Sequence, residues 1–257
     1  MPEFCKVERD GHVTTITINR PEVMNAIHPP ASAELSHAFD AFVADPDARV
    51  AILTGAGEKA FSAGNDLKYQ AAGNKIEWPA TGFAGITQRF ENAKPVIAAV
   101  NGFALGGGFE IVLACDIAIA SEKASFGLPE PRVGQAAMAG GMHRLPRQIG
   151  YKPAMGMLLT GRRVESREAL ALGIVNEVVA PHQLMTIARR WADAICECSP
   201  VSVRTTKRVA LEGLTHASLR EAMSARYEAI AELVKSEDYV EGPIAFAEKR
   251  KPKWKGL

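Results

Sequence analysis

Hydrophobic positions along the chain switch repeatedly between strand-like and helix-like patterns. FCKVERDGHVTTITINRP reads as two strands around Asp10-Gly11, a hairpin signal. In SAELSHAFDAFVADP, Leu35, Ala38, Phe39 and Phe42 recur at helical spacing, and Asp45-Pro46-Asp47 closes that helix. VAILTG (50–55) is a short continuous apolar run, the pattern of a strand buried on both faces. KPVIAAVNG (94–102) repeats it, and DIAIAS (116–121) follows after a short helix. Strands alternating with helices predict an α/β core with parallel strands. From about Ala139 the strand signals thin out, and three segments with helical periodicity predict a helical C-terminal region from near Gln183. The expected division is a core over 1–182 and a helical region over 183–257. Between them in character lies AAGNKIEWPATGF (71–83), which reads as a loop of functional length.

Composition narrows the class. Of 257 residues, 47% are apolar and 23% charged, an ordinary soluble mixture. A formal net charge of +1 gives no electrostatic case for nucleic acid or an anionic membrane, apart from the short basic tail EKRKPKWKG. Cys5, Cys115, Cys196 and Cys198 form no C-x-x-C pair and read as reduced thiols of a cytoplasmic protein. The first residues are charged and lack the apolar region of a signal peptide, and no apolar run is long enough to span a membrane.

Several chemistries drop out by pattern. Gly55, Gly57 and Ala60 mimic a dinucleotide fingerprint, but FSAGND follows where that motif needs an apolar helix. The six histidines are scattered and predict no metal site. Neither a G-x-S-x-G elbow nor a phosphate-binding P-loop is present. What remains is two glycine-containing turns, FSAGNDLK (61–68) and ALGGGFE (104–110), each leading from a buried strand into a helix. Helix starts expose free N–H groups, and two such turns on neighbouring strands are able to form an oxyanion hole. Either turn alone is equally explained as helix-start punctuation. Glu110 stands against the apolar run Ile111–Cys115, and Glu130 stands in ASFGLPEPRVG among Phe126, Leu128 and Val133. Two carboxylates in apolar surroundings have raised pKa values and share acid/base duties, whereas two carboxylates in surface salt bridges do neither.

These motifs, in order and spacing, resemble the enoyl-CoA hydratase/isomerase, or crotonase, superfamily. The likeness runs from TITINRPEVMNAI through KAFSAGNDLK, KPVIAAVNGFALGGGFEIVLACDIAIA, ASFGLPEPRVG and TGRRVESREALALGIVNEVV to SEDYVEGPIAFAEKRKPKW. The tail and TGFAGIT (81–87) resemble the carnitinyl-CoA dehydratase branch. The resemblance implies an α/β spiral of ββα repeats whose helical C-terminal region drives trimerisation, singly or as a dimer of trimers. It implies an acyl-CoA substrate and no separate cofactor. It places the N–H groups of Asn65 and Gly107 in the oxyanion hole and makes Glu110 and Glu130 the acid/base pair. Lys59 and Lys68 match positions near the CoA phosphates, and Ala63 and Met138 match substrate-binding positions. Phe246 and Lys249 match tail positions that reach CoA on a neighbouring subunit. One departure stands out: by ungapped count Met138 occupies the place of a glycine near the catalytic water, where it would crowd the water or reshape the acyl pocket. Isomerisation on Glu130 alone, or a non-catalytic role in binding acyl-CoA or RNA, are the alternatives on such a scaffold.

Overall fold

The computed structural model describes residues 3–256. Strands β1 (Cys5–Asp10) and β2 (Val13–Ile18) pair antiparallel, with Asp10 opposite Val13, as the hairpin signal predicts. Helix α1 (Pro29–Ala44) begins with two prolines, whose missing N–H groups lose nothing at a helix start. The His28 ring accepts the Ala31 N–H as its cap, and Leu35, Ala38, Phe39 and Phe42 face inward.

The chain then repeats one unit. β3 (Val50–Gly55), β4 (Ala60–Ser62) and α2 (Leu67–Ala71) form the first. β5 (Val96–Val100), β6 (Phe103–Leu105) and α3 (Gly107–Ala114) form the second. β7 (Ile117–Ser121) and β8 (Ser125–Gly127) open the third, which passes through a 3-10 turn at Glu130–Val133 into α4 (Gly141–Ile149). The first strand of each unit joins one sheet and the second strand joins another, so the chain spirals. After α5 (Tyr151–Thr160) come β9 (Arg163–Glu165), α6 (Ser166–Ala171) and β10 (Glu177–Val179). The six-stranded sheet has the order β1-β2-β3-β5-β7-β10 and the four-stranded sheet β4-β6-β8-β9. The pairs β2–β3, β3–β5, β5–β7, β4–β6 and β6–β8 are all parallel.

The continuous apolar runs of β3 and β5 follow from burial on both faces. Ala51, Leu53, Ala98 and Val100 enter the main core with Leu35, Phe39, Phe61 and Phe109. Their neighbours Val50, Ile52, Ile97 and Ala99 enter a second cluster, closed by Leu184, Ala188 and Ala192 of α7 (Leu184–Cys196). Alternate side chains therefore need two covers, and α7 is one of them. Helices α8 (Pro200–Gly213), α9 (Leu219–Ser224), α10 (Glu228–Leu233) and α11 (Glu237–Ala247) follow. The chain end folds back on them: buried Asp238 accepts the Ser199 hydroxyl and the N–H groups of Lys255 and Gly256. Two sequence expectations are refined here. β4 and β6 stand between the long strands and the glycine turns, and β9 and β10 lie within a stretch expected to be poor in strands. Each of these four strands has three residues, too few for a period to show.

Candidate active site

The two glycine turns meet at the ends of β4 and β6. At the first, the Ile27 N–H donates to Gly64 O and the Asp66 N–H donates to Ile27 O, a parallel bridge that brackets Asn65. Strand alternation turns the Asn65 N–H to the opposite side of the chain. At the second, Gly106 (φ +56°) swings the backbone from β6 into α3, and Gly107 becomes the first helical residue. Its N–H has no intrahelical acceptor. Among the described residues, neither the Asn65 nor the Gly107 N–H donates a hydrogen bond. Close approach explains the glycine run: a Cβ on Gly107 would lie 2.5 Å from the Phe83 ring, and one on Gly108 would collide with Ser62 O. The turns themselves are in contact, since a Cβ on Gly64 would stand 2.7 Å from Gly107 N.

Asn65 and Gly107 line a cavity of about 230 Å³ together with Ala63, Gly106, Glu110 and Glu130, and Trp78, Phe83 and Met138 also form its wall. Glu110 lies on the first turn of α3 and is 3% exposed. Its Oε1 accepts the Gly141 N–H at 2.8 Å, a free donor at the start of α4. Burial pushes its pKa from 4.5 up to about 7, against the pull of that hydrogen bond, and the charge of Glu130 adds to the rise. Glu130 heads the 3-10 turn after β8 and is 9% exposed. Burial raises its pKa too, and its Oε2 has no hydrogen-bond partner among the described residues. The surface salt-bridge alternative for the two glutamates therefore fails, because both are buried. A carboxyl poised near neutrality, a second held toward its neutral form and two free N–H donors are equipped for proton transfer beside a polarised carbonyl.

The other sequence-derived positions divide. Ala63 lines the cavity. Met138 lines it as well but is 75% exposed, and backbone N–H groups that act on Glu110 come from Gly141 and Ala139, the residues that follow it in the turn. Lys59 and Lys68 are exposed and do not line the cavity. Phe246 and Lys249 are exposed at the end of α11 and beyond, outside the cavity wall of this single chain. Sequence reasoning expected the loop 71–83 to shape the acyl pocket without singling out Trp78 or Phe83, and left Gly141 without a role. Trp78 and Phe83 stack edge to face at 4.9 Å on the cavity wall. Their signal was present as the aromatic residues of the segment 71–83, but no periodicity marks a loop residue that faces a cavity.

A two-sheet spiral that brings two buried carboxyl groups and two free amide N–H groups to one cavity has the parts that acid/base chemistry on a carbonyl compound would need. The family model described as enoyl-CoA hydratase/isomerase matches residues 8–257. The carnitinyl-CoA dehydratase of Salmonella arizonae is 44% identical over 265 residues, and that of Proteus mirabilis is 44% identical over 262, each alignment covering 100% of both chains. The crystal structure of an enoyl-CoA hydratase from Mycobacterium tuberculosis superposes with a TM-score of 0.93 at 38% identity, again over 100% of both chains. The chain belongs to the enoyl-CoA hydratase/isomerase family and has its crotonase fold.

Proposed function

We propose that the protein catalyses reversible addition of water across the double bond of a 2-enoyl-CoA thioester, giving a 3-hydroxyacyl-CoA. The observation that carries this reading is the pair of buried glutamates in one cavity with the free N–H groups of Asn65 and Gly107. In the proposed mechanism the two N–H groups hold the thioester oxygen. Glu110, held toward the ionised form by the Gly141 N–H, takes a proton from water as the water oxygen adds to C3. Electrons shift into the thioester as an enolate, and protonated Glu130 delivers its proton to C2. The reverse sequence is dehydration. No separate cofactor enters these steps. Lys59 and Lys68, exposed outside the cavity, are assigned to the CoA phosphates on the family resemblance, with Ala63 and Met138 beside the acyl-thioester portion.

A second reading has support of its own. Relatives at 44% identity are named carnitinyl-CoA dehydratase, so dehydration of a carnitinyl thioester is the specialised form of the same chemistry. We further propose self-association as a trimer or hexamer, which would bring Phe246 and Lys249 of one copy to the CoA of another. Exposed Leu214, Leu219, Met223 and Phe246 on the helical region support it. Four free cysteines support a reducing, cytoplasmic setting.

The test offers crotonyl-CoA, longer enoyl-CoAs and crotonobetainyl-CoA and follows loss of the conjugated thioester absorbance. Glu130→Gln should lower turnover about 10²–10⁴-fold, the range for a lost acid/base group, with CoA binding retained. Full activity in that variant would overturn the mechanism, and the best substrate separates the two readings.

A further inference from the structure

Arg144 lies in the second turn of α4, and nothing in the proposed mechanism uses it. Its side chain runs back toward the start of its own helix. There the guanidinium lies against Gly140, where any Cβ would collide with Nη1. Gly140 immediately precedes Gly141, whose N–H holds Glu110 Oε1 at 2.8 Å. From the same position Nη2 donates to Thr87 O at 2.8 Å, and the guanidinium carbon stands 5.7 Å from the Phe90 ring centroid. Thr87 and Phe90 belong to the segment that also carries Phe83, the ring pressed against Gly107. One side chain therefore ties the turn holding Glu110 to the segment packed on the oxyanion-side amide.

The placement is electrostatically odd without an anion nearby. The N-terminus of a helix is its positive end and disfavours a cation. Burial likewise disfavours the charge on Arg144, and the carboxylate of Glu110 acts in the opposite sense. The charged groups acting on Glu110 are Glu130, from the turn after β8, and Arg144, from α4; the N–H groups of Gly141 and Ala139 add their dipoles. Besides Glu110, the titratable neighbour acting on Arg144 is the partly buried thiol of Cys115.

We propose that Arg144 is a positioning residue for Glu110: it fixes the turn that grips the carboxylate and sets beside that turn a positive charge that favours the ionised form. This rests on the reading of Glu110 as the base, so the test needs a readout besides turnover. Carboxyl carbon NMR of the 257-residue chain, with Glu110→Gln to identify the signal, follows the Glu110 titration directly. In Arg144→Gln and in Arg144→Met the midpoint should rise, because a neighbouring positive charge is gone. Arg144→Lys, which keeps a charge there, should return the midpoint most of the way. In turnover assays the ascending limb of kcat/KM against pH should move in parallel. A purely structural arginine would lower kcat at every pH and leave the midpoint in place. An unmoved midpoint in the folded neutral variants, or a lysine variant displaced as far as glutamine, would overturn the proposal. Failure of the hydration reading would show differently: the parent protein would turn over no enoyl thioester, while the NMR titration would still report on Arg144.

Discussion

Glu110 is a residue whose burial has consequences for both stability and rate. Its pKa rises from 4.5 to about 7, chiefly through burial, so the folded state holds its proton more tightly than the unfolded chain does. Between those two values the folded state binds more protons, and stability therefore falls as pH rises through the interval. A shift of that size corresponds to about 3 kcal/mol by the point where the group is fully ionised. Glutamine has no charge to bury, and its carbonyl oxygen is still able to accept the Gly141 N–H. Glu110→Gln should accordingly melt at a higher temperature than the parent at pH 8, with the difference closing toward pH 4.5. Thermal melts at the two pH values check this, and equal melting of parent and variant at pH 8 would contradict the burial argument. Activity carries the opposite sign. On the proposed mechanism Glu110 must be ionised and Glu130 protonated, so kcat/KM of the parent should climb as Glu110 ionises and fall again where Glu130 loses its proton, a bell-shaped profile.

The elements show what was legible in the chain and what was not. Period and punctuation revealed the hairpin at Asp10-Gly11, helix α1 and the doubly buried strands, because each is long enough to repeat its pattern. The strands β4, β6 and β8 escaped notice, although they carry the site: their three residues end where Asn65, Gly107 and Glu130 begin their turns. Glu110 and Glu130 were visible as carboxylates beside apolar runs, whereas Arg144 was not, since its reach back over Gly140 is a fact of three dimensions. Three glycines in a row announced close packing but not against what. The answer for Gly108 is the backbone of Ser62 in β4, which cannot move aside as a flexible side chain would. Gly108→Ala should therefore displace α3 from β4, costing about 1–3 kcal/mol of stability by overpacking and shifting the neighbouring Gly107 N–H. Urea denaturation measures the first effect. A kcat that falls further than the stability loss accounts for would mark the second, and a neutral substitution would show that the two elements are not in contact.

For the whole molecule, the two ends of the chain have unlike surfaces. The spiral buries its long strands between α1 and α7, while the later helices leave Leu214, Leu219, Met223, Ile230 and Phe246 exposed, Phe246 by 88%. Isolated exposed apolar residues are ordinary, but several on adjoining short helices form the kind of surface that the proposed self-association would cover. Val209, Leu214, Leu219, Met223 and Ile230 line one continuous groove between α8, α9 and α10. Such a surface suits a second copy of the same chain, because the helices beside it pack weakly on their own core and would gain burial from a neighbour. The site gives a reason for that neighbour to matter, since Phe246 and Lys249 stand outside the cavity wall of their own chain. Placing a charge in the groove by Met223→Asp should drive the protein to a single-chain mass in sedimentation, because an unpaired buried carboxylate is costly in any interface. If the tail of one copy completes the CoA site of another, the dissociated variant should lose affinity for acyl-CoA, seen as a raised KM, while Glu110 and Glu130 keep their titration behaviour. A variant that dissociates yet binds acyl-CoA as tightly as the parent would show that each chain holds its substrate alone, and would return Phe246 and Lys249 to the role of surface residues.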